Sequence, residues 1–165
     1  LDVTDEPGAQ EIAERRAAIW QPYHDGLAAE RARIKAAHGV AVLWDAHSIR
    51  SVLPRFFDGK LPDLNLGTAD GASSAPELAQ ALLAVAESAP GFTAVLNGRF
   101  KGGHITRAHG RPQQGVHAVQ LEMTQCSYMQ EALPFDYLPE RAAQVQPHLR
   151  RLLEAVLAFA DGAKA

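Results

Sequence analysis

The segment VAVLWDA at residues 40–46 is a continuous apolar run of strand length. It lacks the strict alternation of apolar and polar residues that is typical of a strand with one face in water. Continuous runs of this kind are typical of parallel strands whose two faces are both covered by helices. We therefore expect residues 40–46 to form a central parallel strand, and this expectation constrains the fold more than any other feature of the sequence.

A long helix is predicted before this strand. Apolar residues recur at helical spacing from about residue 9 to 37, and Gly39 is expected to end the helix. Pro22 lies inside the pattern and is expected to kink the helix or split it in two. Trp20 and Tyr23 lie beside that kink, and as large aromatic residues they are expected to pack in the core.

Two further helices are predicted in the second half of the chain. Ser74 and Glu77 have the spacing of a capping box, which predicts a helix start in SSAPELAQALLAVAES. Roughly residues 140–160 are predicted to form a strongly amphipathic helix. Its apolar face consists of Leu149, Leu152, Leu153, Val156, Leu157 and Ala160.

Short strands are predicted in LNLGT at residues 64–68, FTAVLNG at 92–98 and VHAVQLEM at 116–123. A polar, glycine-rich loop at residues 98–115 lies between the last two. Strands that alternate with helices predict a three-layer α/β/α arrangement with a mostly parallel central sheet.

Composition limits the organisation and the partners of the chain. Its 165 residues are 47% hydrophobic and 21% charged, which predicts a single α/β domain over 1–165. Sixteen Lys and Arg against nineteen Asp and Glu give a net charge of −3, so we expect neither nucleic acid nor an anionic membrane as a partner. No apolar run reaches the length of a membrane span and no signal peptide precedes the helix, so a cytoplasmic location is expected.

Polar groups follow two of the predicted strands. Asp45 and His47 come where VAVLW ends, and Glu122 ends the apolar run of VHAVQLEM. Ligands of open parallel sheets bind beyond the carboxyl ends of the strands, so His47 and Glu122 are expected to face one cleft. An imidazole that binds a metal and a carboxylate that deprotonates water are the groups of metal-assisted hydrolysis. The alternative is that both residues are hydrogen-bonded structural groups at strand ends.

The loop NGRFKGGHITRAHGRP is the basic part of an otherwise acidic chain. No acidic residue occurs from Ser88 to Leu121, whereas four cations occur there, namely Arg99, Lys101, Arg107 and Arg111. An arginine here is suited to bind a substrate carboxylate through two parallel hydrogen bonds. The alternative is a solvated basic loop without a ligand.

Five motifs together resemble the N-formylglutamate amidohydrolase family, in the order that the family shows. They are WQPYHDGL at 20–27, WDAHSIRS at 44–51, DLNLGTADGASSAP at 63–76, LNGRFKGGHITRAHG at 96–110 and HAVQLEMTQ at 117–125. The resemblance implies a fold like that of zinc carboxypeptidases. It also implies hydrolysis of N-formyl-L-glutamate, a small acidic N-acyl amino acid, to formate and L-glutamate in histidine degradation.

The resemblance assigns roles to individual residues. His47 corresponds to a zinc ligand and Glu122 to the general base, and Asp45 is expected to orient His47 or to be a second ligand. The substrate-binding residues are expected to be Arg107 as the principal carboxylate clamp, with Arg99, Asn97 and His104.

The family's N-terminal part, with a PHxG-type motif, has no counterpart in these 165 residues. The resemblance therefore implies the C-terminal portion of a longer amidohydrolase. One imidazole does not hold zinc firmly, so little metal and little activity are expected from these residues alone. The alternative function is a non-catalytic α/β domain that binds an acidic ligand or a partner chain. Exposed apolar surface on such a domain would also favour self-association.

Overall fold

The computed structural model describes residues 6–163, which form an α/β fold. The helices are α1 Ala9–Arg15, α2 Gln21–His38, α3 Pro76–Glu87, α4 His104–His109 and α5 Pro139–Gly162. The strands are β1 Ala41–Ile49, β2 Leu64–Gly67, β3 Ala94–Leu96 and β4 Val116–Thr124. A π-helical segment, Arg16–Trp20, joins α1 to α2, and single 3-10 turns lie at Pro112–Gln114 and Gln125–Ser127.

The four strands form one mostly parallel sheet in the order β1-β4-β2-β3. β1 runs parallel to β4, β2 runs parallel to β3, and the β2–β4 pair is antiparallel. The expected fold class is therefore confirmed. The central position predicted for the strand at residues 40–46 is wrong within residues 6–163, because β1 lies at an edge and β4 and β2 occupy the centre. A continuous apolar run does not distinguish an edge strand from a central one when both are covered by helices.

One face of the sheet carries the hydrophobic core. Side chains of β2 and β4 pack there against α3 and α5, and the buried cluster includes Leu64, Leu66, Leu78, Leu82, Val119, Leu121, Val145 and Leu152. The predicted apolar face of α5 is only partly correct. Leu152 is fully buried and Val156 is 8% exposed, but Leu153 and Leu157 are 45% and 64% exposed. α5 therefore buries a narrower stripe than its sequence pattern suggests.

The capping box predicted for α3 is not formed. Ala75 is the N-cap residue and supplies no side-chain hydrogen bond, and Pro76 takes the first helical position. The hydroxyl of Ser74 instead donates to the carbonyl of Ala75 at 3.3 Å. Proline is suited to a helix start because it has no N–H to leave unpaired, so α3 begins without a side-chain cap.

The other face of the sheet is covered by α2 and α4, which completes the three layers. The loop predicted at residues 98–115 contains α4, which sequence reasoning missed because six residues are too few to show a helical period. The expected division of the first helix falls beside Pro22: the π-helical segment separates α1 from α2, and Pro22 lies in the first turn of α2. α2 ends at Gly39, which has a left-handed φ of 79° as predicted.

Polar contacts join the N-terminal helical segment to α4. No residue of α1, the π-helical segment or α2 is fully buried. The expected burial of Trp20 and Tyr23 is wrong, since they are 37% and 56% exposed. Arg31 donates to the carbonyl of His109. Nδ1 of His24 lies 3.0 Å from Nε2 of His109. No helix within residues 6–163 combines the length and the apolar character that crossing a membrane requires.

Candidate active site

Four polar residues form an array on the sheet face opposite the hydrophobic core. Asp45 and His47 lie two residues apart on β1, and Gln120 and Glu122 lie two residues apart on β4. The parallel register pairs Asp45 with Gln120 and His47 with Glu122. Residues two apart on a strand point to the same face. The structure thus places His47 and Glu122 directly opposite each other on neighbouring strands.

His47 is held by its neighbour on the strand. Its Nε2 lies 2.9 Å from Oδ1 of Asp45, and the side chains are 47% and 13% exposed, respectively. The carboxylate therefore favours the tautomer that carries its proton on Nε2. Nδ1 then remains the ring nitrogen that is available to a ligand.

Glu122 is almost entirely buried, with 7% of its surface exposed. Burial raises the pKa of its carboxyl above the ordinary value; the nearby His47 acts in the opposite direction and Asp45 adds to the rise. Its side chain has one hydrogen-bond partner within residues 6–163, the amide Nε2 of Gln120, which donates to Oε2 over 3.4 Å. A buried carboxylate with a raised pKa and few donors is a better proton acceptor than an exposed carboxylate.

A glycine-containing loop forms the wall of the site. Its backbone at Lys101 and Gly102 lies against Gly67 at the end of β2, where an added Cβ would be 2.4 Å from the Gly102 nitrogen. Gly102 itself has a φ of 103°, which favours glycine. The Ala69 N–H donates to the Lys101 carbonyl at 2.6 Å, and the Gly103 N–H donates to Oε1 of Gln120 at 2.8 Å. The loop is therefore fixed to two strands.

The array and the loop enclose a cleft of about 470 Å³. It is lined by His47, Arg99, Phe100, Lys101, Gly102, Gly103, Gln120 and Glu122. Basic groups on one side and a buried carboxylate with an imidazole on the other suit a small molecule that carries both a carboxylate and a group to be hydrolysed.

Of the four predicted substrate-binding residues, one lines the cleft and three do not. Arg99 lines the cleft, and its guanidinium donates to the carbonyl of Phe56. Arg107, Asn97 and His104 are not among the lining residues. Arg107 donates to the carbonyl of Gly102 at 2.8 Å. Ring contacts join His104 to Trp20 and His24 on the N-terminal helical segment.

The side chain of Asn97 forms hydrogen bonds with the turn that follows β2. Its Oδ1 accepts the N–H groups of Thr68 and Asp70 at 2.8 and 3.4 Å, and its Nδ2 donates to the Thr68 hydroxyl at 2.8 Å. With a φ of 52°, Asn97 also adopts the left-handed conformation that asparagine tolerates. Its bonds hold the turn that follows β2.

Sequence reasoning missed Gln120 as a member of the cleft, and it gave Lys101 no role of its own. A signal for Gln120 was present, because it precedes Glu122 by two residues in a predicted strand and must share its face. Lys101 stood in the basic loop, but its place in the cleft depends on the fold of that loop. Its Nζ lies 3.0 Å from Oδ2 of Asp70.

The described residues do not form a complete zinc site. Catalytic zinc generally has three protein ligands, drawn from His, Asp, Glu and Cys. His47 with Asp45 provides at most two, and Glu122 would be needed as the base. Within residues 6–163, no group of three or more His, Cys, Asp or Glu side chains is arranged to hold a metal ion.

The chain is similar in sequence to known proteins of one family. The sequence profile of the family described as N-formylglutamate amidohydrolase matches residues 2–129. An N-formylglutamate deformylase of Pseudomonas aeruginosa is 56% identical over 153 residues, which are 93% of this chain and 58% of that protein. The same enzyme name is carried by a Pseudomonas putida protein that is 52% identical over 93% of this chain and 57% of its own length.

A solved structure supports the fold alone. The crystal structure of an N-formylglutamate amidohydrolase from Ralstonia eutropha JMP134 superposes with a TM-score of 0.75 at 23% identity, over 94% of this chain and 56% of that one. Fold and cleft thus define an α/β protein with a polar site on one face of a mostly parallel sheet. The chain belongs to the N-formylglutamate amidohydrolase family. It spans a little under three fifths of the length of the curated relatives that it matches.

Proposed function

We propose that the protein hydrolyses the formamide bond of N-formyl-L-glutamate and releases formate and L-glutamate. The observation that carries the proposal is the register pair of His47 and Glu122 in a cleft whose wall is basic. The names of its relatives support this choice of substrate. A place in histidine degradation belongs to the same proposal.

Glu122 would act as the general base. In the reaction the hydroxyl of water adds to the formyl carbon, the C–N bond breaks, and a proton reaches the departing nitrogen of glutamate. A carboxylate whose pKa is raised by burial can take the proton from water and return it to the nitrogen. Its single amide partner, Gln120, leaves Oε1 free for this exchange among the residues that the structure describes.

The basic side of the cleft would bind a substrate carboxylate. Arg99 and Lys101 line the cleft, whereas Arg107 is not among the lining residues and its guanidinium donates to the Gly102 carbonyl. Position therefore favours Arg99 as the direct carboxylate partner. Arg107 would then support the shape of the loop, although its role as the principal clamp stays a prediction that substitution can test.

The experiment that tests the proposal is an assay of formate release by the purified protein at its full encoded length. We expect Glu122→Gln to lower kcat by about 10²–10⁴-fold, because the amide cannot accept the proton. Glu87→Gln at the exposed end of α3 is the matched control and should keep wild-type turnover. Wild-type turnover in Glu122→Gln would remove Glu122 from the mechanism, and an inactive wild-type protein would favour a binding domain for acidic ligands.

Zinc dependence is a further part of the proposal. His47 would supply one ligand, and Asp45 would orient it through the 2.9 Å contact to Nε2. A bound zinc would polarise the formyl carbonyl. Since the described residues do not complete the site, the proposal requires ligands besides His47 and Asp45.

Metal analysis of the full-length protein tests this part without an activity measurement. We expect about one zinc per wild-type chain and a marked loss of zinc in His47→Ala, with an unchanged circular dichroism spectrum. The control is His38→Ala, which removes an exposed histidine in the last turn of α2. Full zinc content in His47→Ala would show that His47 is not a ligand.

A further inference from the structure

Gln120 connects the wall of the cleft to the carboxylate in its floor. The side chain is 6% exposed and lies between Gly103 and Glu122. Its Oε1 accepts the Gly103 N–H at 2.8 Å, and its Nε2 lies 3.4 Å from Oε2 of Glu122. One amide group therefore contacts both the glycine-containing loop and the proposed base.

The donors and acceptors on either side determine the orientation of the Gln120 amide. A backbone N–H can only donate, so the Gly103 N–H must face the oxygen of the Gln120 amide. The NH₂ group must then face the other way, toward Glu122, where a carboxylate oxygen accepts. Reversing the amide would set two donors against each other at Gly103 and two acceptors against each other at Glu122. The loop thus determines that Glu122 receives a donor.

The buried carboxylate depends on this contact. Within residues 6–163, no other side chain donates a hydrogen bond to the carboxylate of Glu122. The neighbouring Asn65 is fully buried, but its Nδ2 donates to the main-chain carbonyls of Pro62 and Glu122 and not to the carboxylate. The Gln120 amide is neutral and its contact is long, so it can orient the carboxylate without greatly weakening it as a proton acceptor.

We propose that Gln120 is a positioning residue that sets the orientation of Glu122 and links it to the loop at Gly103. Loop position and base position are then coupled, because any displacement of the Gly103 N–H releases the amide that orients the base. The inference rests on the proposed function insofar as Glu122 is the base. The structural link between Gly103, Gln120 and Glu122 does not depend on the reaction.

A double-mutant cycle tests whether Gln120 acts through Glu122. Gln120→Met keeps the length of the side chain but neither accepts from Gly103 nor donates to Glu122. We expect it to lower kcat for N-formylglutamate about 10- to 100-fold, with a smaller change in KM. In the Glu122→Gln background the same substitution should change kcat by less than about threefold, because the base it positions is already absent.

The matched control is Gln113→Met, at an exposed position in the 3-10 turn Pro112–Gln114. It should keep wild-type kcat. A kcat of Gln120→Met within about twofold of wild type would overturn the proposal. An equal loss of kcat in both backgrounds would also overturn it, because a merely structural role acts regardless of Glu122. Should Gln120→Met fail to fold, Gln120→Asn replaces it, since its shorter amide cannot span both partners.

Hydrogen exchange at the Gly103 amide, measured by NMR, separates this inference from the proposed function. We expect exchange at Gly103 to be faster in Gln120→Met than in wild type and Gln113→Met, whether or not the protein turns over N-formylglutamate. Unchanged exchange would overturn the link between Gln120 and the loop. An inactive wild-type protein with the expected exchange pattern would reject the substrate but keep the link.

Discussion

The cations near the cleft differ in the groups that already hold them. Arg99 donates to the Phe56 carbonyl, Lys101 is paired with the exposed Asp70, and Arg107 donates to the Gly102 carbonyl. An exposed ion pair contributes little to stability, so Lys101 is readily released to a ligand. Arg107 is different, because its partner is part of the loop that forms the wall. Arg99 and Lys101 both line the cleft, and of the two only Arg99 has a planar guanidinium, so under the proposed function it would be the direct carboxylate partner.

This difference predicts the outcome of two matched substitutions. Arg99→Lys keeps the charge but loses the planar fork, so we expect kcat/KM for N-formylglutamate to fall about tenfold or more. The fall should be much smaller for an N-formyl amino acid with an uncharged side chain. Arg107→Lys should affect both substrates alike and more weakly, because it acts through Gly102.

The same kinetic comparison can reverse the assignment. A larger and substrate-selective loss in Arg107→Lys would restore the sequence-based prediction that Arg107 is the principal clamp. Equal losses on both substrates in Arg99→Lys would assign Arg99 to the shared α-carboxylate or to loop structure.

At the level of elements, the close approach of β2 to the loop is a strict steric requirement. A Cβ on Gly67 would lie 2.4 Å from the Gly102 nitrogen and 2.6 Å from the Lys101 carbonyl carbon. Both are backbone atoms, so no flexible side chain can move aside. The absence of a side chain at the end of β2 therefore determines where the wall of the cleft lies.

Gly67→Ala is expected to displace the loop. The free energy of unfolding should fall by about 1–3 kcal/mol, as for an overpacked site, and kcat/KM should fall with it. The control is Gly26→Ala on α2, where an added Cβ meets nothing within 4 Å. This control should be neutral or stabilising by up to about 1 kcal/mol, because alanine favours the helix. Denaturant unfolding measures both, and a fully stable and active Gly67→Ala would contradict the steric argument.

The elements were predictable where the sequence pattern is long or chemically specific. All four strands and the helix end at Gly39 follow from apolar runs and from the freedom of glycine. The edge position of β1 and the antiparallel β2–β4 pair were not predictable, because strand order depends on contacts that a local pattern does not contain. The π-helical segment between α1 and α2 was not predictable either, because it is a local change of helical geometry beside Pro22.

The pairing of the site residues was predictable, but their expected place beyond the strand ends is wrong. His47 and Glu122 lie within β1 and β4, on one face of the sheet, because both strands continue past the apolar runs. The polar residues that follow two apolar runs placed His47 and Glu122 at one site, and the register of β1 with β4 makes them direct neighbours. Their chemical roles stay predictions. Arg99 and Lys101 line the cleft and Arg107 does not. The sequence could not predict this difference, because it depends on α4, whose six residues are too few to show a helical period.

For the molecule as a whole, buried histidines link folding to pH. His117 lies on the core face of β4, 4% exposed, and its Nδ1 accepts the Ala75 N–H at the start of α3 over 3.1 Å. Burial lowers its pKa, and the carboxylate of Glu77 acts in the opposite direction without cancelling the effect. Protonation of Nδ1 would set two donors against each other. The folded protein therefore favours the neutral form of His117.

The lowered pKa of His117 destabilises the folded protein as pH falls. A histidine whose pKa is lower in the folded than in the unfolded protein binds fewer protons when folded, so stability falls as pH drops below the unfolded value of about 6.5. His109 has a pKa lowered chiefly by burial and contributes in the same direction. Burial raises the pKa of Glu122, so its contribution opposes theirs as pH falls. A wild-type stability curve alone therefore does not isolate His117.

His117→Asn isolates the contribution of His117. The asparagine Oδ1 can accept the Ala75 N–H as Nδ1 does, and it has no proton to gain. We expect the variant to be less stable at pH 8, since it loses the ring contact with Phe159, but to lose less stability than wild type between pH 8 and 5.5. The difference between the two slopes can reach at most about 1.4 kcal/mol per pH unit. Urea unfolding at a series of pH values measures it, with the exposed His38→Asn as the matched control. Equal slopes in His117→Asn and wild type would show that His117 accepts a proton in the folded state as easily as in the unfolded chain, which its place behind the first turn of α3 should prevent.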